Sequence, residues 1–310
     1  MSSHAPSTKR QTVPGVRKRK GGKRLTMVTA YGYDHARLVD AAGVDLILVG
    51  DSVANVCLGH DSTVPVTMDQ MIHHAAAARR GTERALVVGD MPFLSYTVSV
   101  PDAIRNAGRF LKEASCDAVK LEGGKEVEET VAAIVRAGIP VMGHLGLTPQ
   151  TVSMLGGYRV QGRSALQARS IVDAALALEE AGAFALVLEC VPLDVAREVT
   201  DRLEIPTIGI GAGPHCDGQV LVFHDLLGLG RGGHTPRFVK RYAELGDLAV
   251  RALEAFVADV QGGGFPGPEH TFHMTEGEEE KLPGALSVST RGAVADGLVT
   301  LSPDEDPGPG

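Results

Sequence analysis

Six side chains able to do acid–base or ligand chemistry stand near the ends of short apolar runs. Asp51 follows LILVG, Asp90 follows ALVVG, Lys120 and Glu122 lie in AVKLE, His144 in PVMGHL and Glu189 in ALVLEC. Asp51, Asp90 and Glu122 offer hard carboxylate oxygens, which select Mg²⁺, Ca²⁺ or Mn²⁺ over zinc. Mg²⁺ takes a few carboxylates and keeps waters, leaving positions for a chelating substrate such as a 2-oxo acid. So placed, it acts as a Lewis acid and stabilises an enolate when a proton leaves the adjacent carbon. Lys120 lies two residues before Glu122, on the same face of a strand, and suits neutralising a substrate carboxylate or enolate oxygen. Glu189 approaches from another side and suits a general base. His144 suits orienting either partner. One acid after one strand would simply cap a turn. Six titratable groups at five strand ends point to a site, because burying that charge is costly unless the groups bind a cation or each other.

The elements that must carry these residues alternate regularly. Runs rich in Val, Ile and Leu recur at 25–30, 46–50, 85–89, 118–122, 140–145, 185–190, 206–211 and 219–223. Unbroken apolar runs of this length fit strands buried on both faces, as in parallel sheets. Amphipathic stretches at helical spacing separate most of them, at 34–42, 69–80, 101–114, 126–137, 164–181 and 193–203, and a last helix is expected over 236–260. Eight strands with alternating helices predict an α/β protein, a (β/α)8 TIM barrel. An open doubly wound sheet would carry a Gly-rich turn after its first strand, where this chain reads Ala30-Tyr31-Gly32-Tyr33. In a barrel the C-terminal strand ends converge on one mouth, where all six residues would meet.

Composition narrows the class. Gly accounts for 38 of 310 residues, above the usual ~7%, but without a collagen period. No apolar run reaches the ~18 residues of a membrane span, and the first residues lack the apolar core of a secretory signal. Four scattered cysteines suggest neither a disulfide framework nor a zinc ribbon, so a reduced, cytoplasmic protein is expected. The net charge of −8 is uneven. Residues 1–24 hold eight Lys/Arg and no acid, whereas 275–310 hold eight acids and two bases. This divides the chain into a basic arm (1–24), a catalytic barrel (25–274) and an acidic tail (275–310) expected to be disordered. The arm reads as solvated, or as packing on a neighbouring subunit. Nucleic-acid binding is not expected, because nothing else interleaves basic and aromatic residues.

Weaker motifs fall away. The stretch 157–164 resembles a phosphate loop but has Arg163 where Lys is needed, and 208–213 lacks the third Gly of a dinucleotide fingerprint. His73 and His74 point about 100° apart on a helix and cannot easily share an ion. Cys57 and Cys190 read as packing residues, and no cysteine has an activating base legible in the sequence.

Taken in order, the motifs Val49-Gly50-Asp51-Ser52, 59–67 (GHDSTVPVT), 89–93 (GDMPF), 119–124 (VKLEGG), 143–150 (GHLGLTPQ), 156–162 (GGYRVQG), 188–192 (LECVP), 208–213 (IGIGAG) and 217–222 (DGQVLV) closely resemble the ketopantoate hydroxymethyltransferase family over roughly residues 23–273. The resemblance implies a barrel of the phosphoenolpyruvate/pyruvate type. It implies transfer of a one-carbon unit from 5,10-methylenetetrahydrofolate to 3-methyl-2-oxobutanoate, giving 2-dehydropantoate through a Mg²⁺-stabilised enolate, in pantothenate and coenzyme A biosynthesis. The family's metal ligands fall on Asp51, Asp90 and Glu122, its substrate contacts on Asp51, Ser52, Asp90 and Lys120, and its proton acceptor on Glu189. A homo-oligomer, commonly a decamer, is implied. Loops 91–98 and 209–218 are candidates for folate. A Mg²⁺-dependent carbon–carbon lyase or mutase on the same barrel is the competing reading, since it shares the enolate chemistry.

Overall fold

The computed structural model describes residues 9–230 and 235–287. Eight strands form: β1 Leu25–Thr29, β2 Leu46–Val49, β3 Leu86–Asp90, β4 Ala118–Lys120, β5 Val141–Gly146, β6 Ala185–Glu189, β7 Thr207–Ile210 and β8 Gly218–Leu221. Each pairs in parallel with the next, and β8 returns to β1, closing the expected barrel. The helices are α1 Val13–Arg17, α2 Tyr33–Ala41, α3 Val53–Val56, α4 Met68–Arg80, α5 Val100–Lys112, α6 Glu128–Arg136, α7 Val152–Leu155, α8 Ala165–Glu180, α9 Leu193–Arg202, α10 Phe223–Leu227, α11 Leu245–Gly262 and α12 Leu282–Ser287. Local chemistry starts several of them. Thr67 with Gln70, and Ser164 with Gln167, form capping boxes before α4 and α8. Ser99 caps α5, whose first turn also carries Pro101.

Strand alternation divides the core into two layers. Leu46 and Leu48, Leu86 and Val88, Ala118, Met142, Ala185 and Val187, and Ile208 form one apolar cluster, the barrel interior. Their neighbours Ile47, Val49, Val87, Val119, Val141, Leu186 and Leu188 belong to a second cluster with the helices. Because the period is two, the interior set continues into chemistry: Val88 to Asp90, Ala118 to Lys120 and Glu122, Met142 to His144, and Val187 to Glu189. The site is thus the uppermost layer of the same columns that fill the barrel.

The opposite end is closed by the basic arm. Val16 of α1 is fully buried in the interior cluster. Around it Arg10 pairs with Asp117 at 2.6 Å, Arg19 with Asp45 at 3.2 Å and Lys20 with Asp217 at 3.1 Å. These acids stand just before β4, β2 and β8, and each also accepts a backbone amide of a neighbouring strand, from Val87, Thr26 and Thr207. Residues 10–20 therefore reach the barrel's own floor through Arg10, Val16, Arg19 and Lys20, while Arg17, Lys18 and residues 21–24 are exposed. Val16→Ala is expected to lower stability by about 1–3 kcal/mol in a denaturant titration, leaving kcat unchanged because the mouth is at the other end.

The helix expected over 236–260, α11, differs from expectation. It begins at Leu245, not at 236. Pro236 opens a turn, and the amides of Tyr242 and Gly246 bond to Leu226 O and Gly228 O, so the intervening chain is held beside α10. By contact the chain divides at Ala249/Val250. In the second unit Phe265 packs edge-on against Phe256 and lies beside His270. Of the tail, residues 275–287 are described and include α12, so this part carries a helical turn; the rest lies outside the described residues. Among the described residues no helix is long and apolar enough to cross a membrane.

Candidate active site

Five of the six strand-end residues form one string of alternating charge. Lys120 Nζ donates to Asp90 Oδ1 at 2.7 Å and Oδ2 at 2.9 Å, and lies 3.7 Å from Glu122 Oε1. His144 Nδ1 is 3.3 Å from Glu122 Oε1, and its Nε2 is 3.3 Å from Glu189 Oε2. Neither imidazole contact has hydrogen-bond geometry, so both act as charge contacts. Asp51 joins from the β2 end, its backbone N–H donating to Asp90 Oδ2 at 3.2 Å. Ser52 shares a 2.8 Å hydrogen bond with the Tyr31 hydroxyl. All the residues expected at the mouth are brought together. Asp90, Lys120, Glu122 and His144 are sealed, while the Glu189 carboxylate is 17% exposed and reaches solvent.

Burial and proximity set the protonation states. Burial first, then Asp90 and Glu122, push the Asp51 carboxyl up to about 8. Burial likewise raises Asp90, although Lys120 opposes it. Burial would lower Lys120, but Asp90, Glu122 and Asp51 more than offset it, and the ammonium is held. Burial and Lys120 press His144 down, yet the flanking Glu122 and Glu189 raise it to about 9, so it is an imidazolium at neutral pH. Glu122 sits below the usual carboxylate range despite its burial, because His144 and Lys120 face it.

Two neutral residues tie the site together and escaped sequence reading. Gln150, in a 3-10 turn after β5, donates from Nε2 to Asp51 Oδ2 at 3.1 Å and from its backbone N–H to Glu122 Oε2 at 3.1 Å. Tyr96 donates to Gln150 Oε1 at 2.7 Å and accepts from the Glu122 amide at 3.3 Å. Neither residue belongs to a periodic element, and neither is titratable near neutrality, so charge and spacing gave no signal.

The donor set fits a hard cation. Asp51, Asp90 and Glu122 bring carboxylate oxygens to one layer, and Glu122 Oε1 is buried without a hydrogen-bond partner. Among the described residues no three acid, histidine or cysteine side chains converge as a ready-made cage. An ion there would be completed by water and substrate oxygens, as suits Mg²⁺.

Backbone approach is tight at one point. Gly146 has φ +98°, and a Cβ there would stand 2.1 Å from the Glu189 carbonyl oxygen. Gly146→Ala is expected to cost about 1–3 kcal/mol for the left-handed backbone alone. It would also displace Glu189, so kcat of the folded protein should fall in a steady-state assay well below the melting temperature. Cys57, expected to be a packing residue, is instead exposed. The His73 and His74 rings stand at 88° to one another, and all four cysteines are free. Burial raises the Cys190 thiol to about 12, which leaves it un-ionised. A cavity of about 550 Å³ lies outside the barrel between α8 and α9. A second, about 320 Å³, opens beside the mouth along Gly123, Gly124, Gly146 and Thr148.

Comparison with known proteins follows the same line. A family model described as ketopantoate hydroxymethyltransferase matches residues 10–268. A 3-methyl-2-oxobutanoate hydroxymethyltransferase of Moorella thermoacetica is 61% identical over 264 residues, 85% of this chain and 98% of that protein. The protein of the same name from Thermus thermophilus is 57% identical, covering 85% of this chain and all of that one. Among solved structures, a phosphonopyruvate hydrolase complexed with oxalate and Mg²⁺ superposes with a TM-score of 0.57 at 13% identity, covering 91% of this chain and 100% of that one. A phosphoenolpyruvate phosphomutase from Streptomyces platensis subsp. rosaceus superposes at 0.55 and 15% identity, covering 89% and 99%. At such identities these two share the barrel alone. The family match and the close relatives run through every strand that feeds the mouth, and the chain belongs to the ketopantoate hydroxymethyltransferases, enzymes of pantothenate biosynthesis.

Proposed function

We propose that the mouth transfers the one-carbon unit of 5,10-methylenetetrahydrofolate to 3-methyl-2-oxobutanoate, forming 2-dehydropantoate. The observation that carries this reading is the Glu189 carboxylate, part-exposed at the open end of a sealed string of charges. Asp51, Asp90 and Glu122 would hold Mg²⁺. When bound, Mg²⁺ supplies Lewis-acid polarisation of the 2-oxo group. Lys120 places a fixed ammonium in the same layer for the substrate carboxylate, and Ser52, set by Tyr31, offers its hydroxyl and backbone N–H. His144, as an imidazolium, holds the Glu189 carboxylate from one side and leaves its other oxygen for substrate. Glu189 Oε accepts the C3 proton. The C3–H electron pair becomes the enolate, whose carbon forms the new C–C bond to the folate methylene as one methylene C–N bond breaks and its electron pair stays on nitrogen. Water then displaces the remaining C–N bond, giving the hydroxymethyl group and releasing tetrahydrofolate. Because C3 is branched, alignment of the two reactants supplies much of the rate.

For the folate, loop 91–98 exposes Phe93, Leu94 and Val98, apolar surface suited to a planar ring. Leu253, Phe256, Val257 and Val260 along α11 are exposed, apolar surface that a homo-oligomer, by family resemblance a decamer, would cover. The purified protein with 3-methyl-2-oxobutanoate, methylenetetrahydrofolate and Mg²⁺ should yield 2-dehydropantoate by mass spectrometry. Folded protein that yields none removes the reading, and cleavage of a 2-oxo acid instead would favour the lyase.

A further inference from the structure

We propose that Gln150, oriented by Tyr96, is the positioning residue that sets which oxygens of Asp51 and Glu122 are free to face a cation. It rests on the metal role of those acids proposed above. The Gln150 side chain is 3% exposed, and its amide has one consistent orientation. Nε2 faces two acceptors, Asp51 Oδ2 at 3.1 Å and Met91 O at 2.9 Å, and so uses both its N–H groups. The Tyr96 hydroxyl already accepts the Glu122 amide, so it must donate to Gln150 Oε1. A flipped amide would set two acceptors against carbonyl and carboxylate oxygens. The rotamer is therefore locked from both ends.

The lock acts on two acids at once. Asp51 Oδ2 is occupied by the Gln150 amide, leaving Oδ1. Glu122 Oε2 is occupied by the Gln150 backbone N–H, leaving Oε1, which is buried without a hydrogen-bond partner and meets only the charge contacts of Lys120 at 3.7 Å and His144 at 3.3 Å among the described residues. Asp51 and Glu122 come from different strands, and Gln150 is the residue bonded to both. Groups that hydrogen-bond a ligating carboxylate fix its direction and commonly change metal affinity by about ten- to a hundredfold when removed.

The probe is Mn²⁺ alone, with its Kd measured by water-proton relaxation on the full chain. Gln150→Met keeps length and volume but removes the side-chain hydrogen bonds. It should raise the Kd about tenfold or more. Tyr96→Phe, which removes only the orienting hydroxyl, should raise it about three- to tenfold. The double variant should bind within about twofold of Gln150→Met, since both changes break one network. A merely structural role would move the metal-free melting midpoint and leave the Kd alone. An unchanged Kd in folded Gln150→Met overturns the proposal. Should that variant not fold, an unchanged Kd in Tyr96→Phe overturns it equally. Wild-type protein that binds no Mn²⁺ removes the metal reading itself and this inference with it, a result distinct from a wild type that binds and a variant that binds as well.

Discussion

Glu189→Gln should bind 3-methyl-2-oxobutanoate with nearly unchanged affinity yet lose exchange of the C3 proton with solvent by about 10²- to 10⁴-fold, the usual worth of a positioned base. The two effects separate because of where Glu189 sits. Substrate charge is met by Lys120 and by any cation on the three acids, all deeper in the barrel. Among the described residues the Glu189 carboxylate meets that layer through His144 Nε2, at 3.3 Å. The amide fills the same space but cannot take a proton at neutral pH. Exchange is read by proton NMR in D₂O without folate, so loss of folate binding cannot mimic the result. A second readout follows from the charge string. With one of its two carboxylates gone, His144 should titrate lower than in the wild type. Exchange retained at the wild-type rate would take Glu189 out of the base role, whatever happened to turnover.

The legibility of this site has a physical cause. A parallel barrel buries both faces of its strands, so each strand is an unbroken apolar run, and a titratable residue at the end of one stands out. Asp90, Lys120, Glu122, His144 and Glu189 were visible for that reason, and the structure sets all five in the interior columns. Gln150 and Tyr96 were not visible. They are neutral, they lie outside the periodic elements, and their function depends on tertiary contacts 26 to 99 residues away in the chain. The floor of the barrel was hidden in the same way. Val16 is one apolar residue in a basic arm, and its meaning appears only when Arg10, Arg19 and Lys20 meet the acids before β4, β2 and β8. The start of α11 was misplaced because periodicity carries on across Pro236, while the bonds holding 242 and 246 beside α10 are long-range. Local period identifies columns, but neither caps them nor cross-links them.

In metal-free buffer the protein should lose stability as the pH rises from about 6.5 to 8, and Mg²⁺ should cancel most of that loss. Asp51 is held up to about 8 by burial and by the facing Asp90 and Glu122, against ~3.9 in an unfolded chain. The folded state therefore keeps a proton that the unfolded state has already released. That contribution is complete below about pH 4 and is lost as the pH climbs through 8. His144, raised to about 9 from an unfolded ~6.5, has the same sign, and its window opens where that of Asp51 is still closing. Glu122 is lowered, so its opposite effect is confined to acid pH and does not enter here. With each excess native proton worth about 1.4 kcal/mol per pH unit, the two groups together remove on the order of 2–4 kcal/mol over this interval. A cation on the three acids replaces the proton on Asp51, so binding releases a proton and tightens with pH. Urea titrations at stepped pH, with EDTA or with Mg²⁺, read the effect directly. Asp51→Asn should lose about half the metal-free slope and most of the Mg²⁺ rescue, because the amide neither titrates nor offers a charged oxygen. A flat metal-free profile, or an Asp51→Asn slope equal to the wild type's, would show that Asp51 carries no proton for the metal to displace, and the coupling between the acids at the mouth would have to be drawn without it.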